Sequence, residues 1–100
     1  MAKKKKKTKQ ESQRIHAKRR FLERYGLDFN RHVRREFERL IRCYQTHLII
    51  QQSNRVSIHD VIYNGDVYRV VYDRNRHTIV TALPQDQENY NPEQEFSERI

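Results

Sequence analysis

The sequence predicts an α+β fold, with two helices at the front packed on a four-stranded antiparallel meander. Three observations carry this. Apolar residues recur at helical spacing as far as Tyr44, and β-branched and aromatic residues dominate from Leu48 onward. Asn64-Gly65 sits between two alternating runs, where both central residues of a type I′ turn need positive φ. Gly26 and Pro84 then punctuate the ends of the first helix and the last strand.

In the first helix, expected over residues 12–25, Ile15, Phe21, Leu22 and Tyr25 gather on one side of a helical wheel. His16, Arg20, Glu23 and Arg24 form a polar stripe that points roughly the other way. After Leu27-Asp28-Phe29, Asn30 can cap a second helix running to about 44, with Val33, Phe37, Leu40, Ile41 and Tyr44 as its apolar series. The strands are expected at Leu48–Ile50, Arg55–Tyr63, Asp66–Tyr72 and His77–Leu83, with a second turn at Asp73–Arg76.

A two-residue turn at Asn64-Gly65 sets Tyr63 opposite Asp66, Val61 opposite Tyr68 and Asp60 opposite Arg69. The second turn, taken as Asp73–Arg76, would place Tyr72 opposite His77, Val70 opposite Ile79 and Tyr68 opposite Thr81. One sheet face is then aliphatic, with Val56, Ile58, Ile62, Val67, Val71, Val80 and Ala82 around an Asp60–Arg69 ion pair. The other holds His59, Val61, Tyr63, Tyr68, Val70, Tyr72, His77, Ile79 and Thr81. The aliphatic face is expected to receive the helices, leaving an open surface of tyrosine and histidine. The pattern also admits the opposite assignment, since tyrosine rings pack well in cores.

Of the 100 residues, the ends contribute least to a core. Residues 1–11, with six lysines, read as a disordered basic arm, residues 12–84 as one domain, and residues 85–100 as a polar acidic tail. Net charge is +8, concentrated in the first half. Cys43 is the single cysteine, so neither an internal disulfide nor a cysteine zinc site is expected, and a reducing compartment fits. The chain has two glycines, Gly26 and Gly65, which excludes a glycine-rich phosphate loop. The acids are scattered, so no two-metal carboxylate centre and no cofactor are expected. No apolar run approaches the roughly 20 residues of a membrane span. The expected location is therefore the cytoplasm.

A strongly basic chain of this kind calls for a polyanionic partner, because each phosphate neutralised by Lys or Arg releases counterions. RNA or the ribosome is the expected partner, with DNA as an alternative and no membrane. Lys3, Lys4, Lys5, Lys6, Lys7, Lys9, Arg19, Arg24, Tyr68 and His77 are the expected nucleic-acid contacts. RNA cleavage without metal needs a base for the 2′-hydroxyl, an acid for the leaving oxygen and a cation for the phosphorus centre. Histidine, tyrosine, arginine and threonine can supply them.

The run His16-Ala17-Lys18-Arg19-Arg20-Phe21-Leu22-Glu23-Arg24-Tyr25-Gly26, a following helix, Tyr68-Arg69-Val70-Val71-Tyr72-Asp73 and Thr78-Ile79-Val80-Thr81-Ala82-Leu83-Pro84 resemble small bacterial and phage proteins of the barnase, EndoU, colicin and RelE ribonuclease superfamily. The resemblance spans about residues 14–84 and rests on short motifs. It implies helices on an antiparallel sheet, an active site across the open sheet face and no cofactor. Carried over by position, it nominates His16 as acid or base, Arg20 and Arg24 as phosphate-binding cations, and Tyr72 and Thr81 as sheet residues that orient or protonate the phosphate. Endoribonuclease activity in a toxin or a phage effector, with a protein antitoxin as a further partner, follows from the same resemblance. Two other readings stay open: a non-enzymatic module that coats RNA, ribosome or DNA, and a phage-type inhibitor of a host protein that uses the acidic tail.

Overall fold

The computed structural model describes residues 9–91, which form α1 (Lys9–Tyr25), α2 (Arg31–Arg42), β1 (His47–Gln51), β2 (Val56–Tyr63), β3 (Asp66–Asp73) and β4 (Thr78–Leu83). The strands make one antiparallel sheet in the order β1-β2-β3-β4, the meander that the sequence predicts. Lys9–Glu11, assigned above to a disordered arm, begin α1; residues 1–8 and 92–100 lie outside the described residues. No helix among the described residues is long and apolar enough to cross a membrane.

Local chemistry sets most boundaries. The Asn30 side chain accepts from the Val33 N–H at 3.0 Å and caps α2. Gly26, at φ 65°, ends α1 with its N–H on the Leu22 carbonyl. Asn64 and Gly65 both take positive φ between β2 and β3, and the predicted pairs Tyr63–Asp66, Val61–Tyr68 and Asp60–Arg69 are observed. Arg69 grips Asp60 through two hydrogen bonds, Nε to Oδ1 at 2.8 Å and Nη2 to Oδ2 at 2.9 Å.

The helices cover the aromatic face of the sheet, which reverses the preferred sequence assignment. Phe21 stacks on Phe29 with ring centroids 3.9 Å apart, and Phe37 meets both edge-on. Tyr68 lies among Phe21, Tyr25 and Phe37, while Tyr63 packs edge-on against Phe37. Val61, Val70, Tyr72, Ile79 and Ala82 complete this core. Aromatic area decides the matter. A fully buried ring of this size contributes about 2–3 kcal/mol, and the helices bring three phenylalanines to meet the tyrosines.

The apolar side of α1 also differs from expectation. Ile15 is 45% and Leu22 60% exposed, while Gln13, His16, Ala17, Arg20 and Phe21 are buried. Ala17 and Phe21 belong to the helix–sheet core, and the small alanine lets α1 approach β4 closely. The Tyr25 hydroxyl fixes the other end: it accepts from the Arg69 N–H at 3.2 Å and donates to the Leu83 carbonyl. Arg69 and Leu83 are paired residues of β3 and β4, so this hydroxyl joins α1 to the end of that ladder.

The second sheet face carries its own cluster of Ile58, Val71, Val80, Leu83 and Tyr90, with Ile49 and Val56 against it. The chain after β4 folds back over this face. Gln52 receives the Tyr90 N–H at 2.7 Å and donates to the Tyr90 carbonyl at 2.7 Å, and Arg69 Nη1 reaches the Gln87 carbonyl at 3.2 Å. Gln85 to Tyr90, read from sequence as tail, thus lie within the described fold.

Candidate functional site

The β3–β4 turn departs from expectation and shapes the site. The Asp73 carboxylate accepts the N–H groups of Asn75 at 2.9 Å and Arg76 at 3.1 Å, and His77 adopts φ 54°. The turn therefore occupies Arg74–His77. Tyr72 pairs with Ile79 and Val71 with Thr81, and the register shifts between them. The extra residue is a β-bulge, which turns Thr81 to the face opposite Tyr72. Asp73, 2% exposed, also binds Arg55 through Nε at 3.1 Å and Nη2 at 3.0 Å, and Arg76 Nη1 at 3.1 Å. The turn is held from within.

Beside it, the C-terminal end of α2 stops above the sheet and leaves a cleft of about 490 Å³. Ile41, Arg42 and Tyr44 line it from the helix end, Thr46, Leu48 and Gln51 from β1 and its approach, and Ser57, His59, Tyr72, Arg74 and His77 from the remaining sheet. None of the described residues that line it is acidic. Among the described residues Arg42 and Arg74 enter no salt bridge, whereas Arg20, Arg34, Arg39, Arg55, Arg69 and Arg76 all do.

His59 is held at both ring nitrogens, with Thr46 Oγ1 2.9 Å from Nδ1 and Ser57 Oγ 2.9 Å from Nε2. Burial, aided by Arg74, pushes its pKa down to about 4, so the ring is neutral at neutral pH. It stands edge-on to Tyr72, with centroids 6.2 Å apart. Burial raises the Tyr72 pKa, and nearby Arg42 opposes that rise. The phenol stays protonated at neutral pH; Arg42 lies close to its buried oxygen, but no hydrogen bond of ordinary geometry joins the two. The floor of the cleft is therefore neutral and hydroxyl-rich, and its walls are cationic.

The residues proposed from sequence separate into groups. Tyr72 and His77 line the cleft. Thr81, 0% exposed, lies behind the sheet. His16 and Arg20 lie on the buried side of α1 outside the cleft lining, and Arg20 binds Glu23 at 2.8 Å. Arg24 is half-buried near the end of α1, and Arg19 is exposed. Tyr68 is enclosed by core rings and presents no face for stacking. Lys3–Lys7 lie outside the described residues, and Lys9 opens α1. Sequence reasoning missed His59, Arg42 and Arg74 as site residues. The available signal was the Asn64-Gly65 register, which sets Ser57 opposite Tyr72 and His59 opposite Val70 on one face. No three residues of metal-ligating type gather among the described residues.

The fold and site define a two-layer α+β domain with an arginine-walled cleft, free of acids among the described residues, where a helix end meets the sheet. No protein-family model, curated protein or solved structure matches the chain.

Proposed function

We propose that this protein binds single-stranded RNA, with the phosphate backbone entering the cleft between Arg42 and Arg74. One observation supports this above others: the cleft holds two arginines without a salt bridge and no carboxylate to compete for them. Such a pair recognises phosphate oxygens, and its low-dielectric floor strengthens the attraction. A cleft of about 490 Å³ has room for a nucleotide-sized group. Lys3–Lys7 add non-specific, salt-sensitive affinity by releasing counterions. The earlier idea of an open tyrosine platform on the sheet is set aside, because the helices cover that face.

Metal-independent RNA cleavage is a second reading, favoured by the Tyr72 phenol, which lies beside Arg42 in the same cleft as His77. In that reading His77 takes the 2′-hydroxyl proton, the 2′-oxygen attacks phosphorus, and Tyr72 protonates the departing 5′-oxygen. A 2′,3′-cyclic phosphate and a 5′-hydroxyl end result. His59 takes no part in proton transfer at neutral pH, since its basicity is too low. The ribonuclease resemblance of the sequence belongs to this reading.

Incubation of the full chain with end-labelled RNA in EDTA separates the two. Cleavage that is lost in Tyr72→Phe and His77→Gln, with affinity retained, supports the catalytic reading. Intact RNA bound with an affinity that falls steeply with salt supports binding alone. Salt-insensitive binding of single-stranded DNA and RNA alike, or no binding, contradicts both.

A further inference from the structure

Among the described residues three non-glycine residues adopt positive φ: Tyr44 at 57°, Asn64 at 51° and His77 at 54°. Asparagine and histidine tolerate the left-handed region comparatively well, and Asn64 occupies a turn that demands it. Tyrosine does not. Tyr44 follows the Cys43 cap of α2, with its N–H on the Ile41 carbonyl at 3.1 Å and the Gln45 N–H on the Leu40 carbonyl at 2.9 Å. This is the Schellman closure of a helix, whose left-handed position usually holds glycine because a Cβ is strained there.

Nothing in the fold repays a tyrosine at this point. Its side chain is 93% exposed and makes no hydrogen bond or ring contact among the described residues. An apolar series ending at Tyr44 suggests a core position, yet the helix ends before reaching it. What the residue does have is a place on the lining of the cleft, two residues after Arg42 and in the same lining as Arg74. A strained, solvated aromatic beside two arginines with no carboxylate has the chemistry of a base-stacking platform next to a phosphate site.

We infer that Tyr44 is the nucleobase contact of the cleft, stacking one unpaired base of a single-stranded RNA whose adjoining phosphate lies between Arg42 and Arg74. The inference rests on the proposed RNA-binding reading and extends it, because it makes binding depend on a base and not on charge alone. Duplexes, whose bases are already stacked, are poor ligands in consequence.

The test uses the full chain and fluorescence anisotropy with two labelled probes, a single-stranded RNA of about ten nucleotides and the same backbone with abasic residues. Tyr44→Gly relieves the strained position and is expected to keep or raise the melting temperature. It should still weaken binding of the intact probe about five- to hundredfold and leave the abasic probe unchanged. Tyr44→Phe should bind both probes like the wild type, and Tyr44→Leu should resemble Tyr44→Gly. If Tyr44→Gly binds the intact probe like the wild type, or weakens both probes equally, the stacking role is overturned. Arg42→Ala separates this failure from a deeper one. Should it weaken both probes while Tyr44→Gly changes neither, only the base contact is wrong; should it change neither, the cleft itself is not the RNA site.

Discussion

At the scale of single residues, His59 shows how burial creates a property that the sequence does not display. It sits between Thr46 and Ser57 at the back of the cleft, and its folded pKa is about 4 against an ordinary 6.5. The unfolded chain therefore binds the proton first as pH falls. The stability from the neutral ring is fully present above pH 6.5 and is lost progressively as pH drops from 6.5 toward 4. Urea midpoints measured across that window should fall more steeply for the wild type than for His59→Gln, whose amide can bond to the same hydroxyls. Parallel slopes would show that the histidine is not held neutral. Tyr72 entered the sequence reading through the ribonuclease resemblance and His77 as a nucleic-acid contact, and both line the cleft. Arg42 and Arg74 were not singled out, since arginines are frequent in this chain and only the fold reveals which ones lack an acid.

Among the elements, α2 and the β2–β3 hairpin follow directly from sequence. A cap at Asn30, apolar residues Val33, Phe37 and Ile41 on one stripe, and Asn64-Gly65 leave few alternatives. The β3–β4 register was harder to read. It depends on the side chain of Asp73 building a turn and on His77 adopting positive φ, and neither feature has a periodicity. The exposed faces of α1 mislead for another reason: Ile15 and Leu22 look like core, but Ala17, Phe21 and Tyr25, at intervals of four, set the packing. Tyr25 in particular ties α1 to the sheet through its hydroxyl. Tyr25→Phe keeps the ring but leaves the Arg69 N–H and Leu83 carbonyl short of a partner, at an expected cost of about 1–3 kcal/mol in urea unfolding. A variant as stable as the wild type would mean that water replaces the hydroxyl there.

For the molecule as a whole, the sheet has two apolar faces. The helices take the aromatic one, and Pro84 to Tyr90 lie over part of the aliphatic one. A pattern of alternating strand residues names the two faces without saying which receives the helices, so the sequence reading could go either way and preferred the wrong side. That choice moved the site. With the tyrosine face covered, the arginine-walled cleft lies where α2 ends above the sheet, between Tyr44, Arg42, Arg74 and His77. The charge of +8 is a property of the whole chain, yet cationic surface alone binds any polyanion weakly and without selectivity.

The most direct measurement compares two double variants of equal charge loss for affinity toward single-stranded RNA at one salt concentration. Arg42→Ala with Arg74→Ala removes the walls of the cleft, and Arg31→Ala with Arg35→Ala removes exposed arginines of α2 that lie outside it. The cleft pair is expected to weaken binding roughly tenfold or more beyond the control pair, because its two guanidinium groups converge on one phosphate position while the control arginines contribute only to the general field. Equal losses from both variants, or an undiminished affinity in the cleft variant, would contradict a localised RNA site.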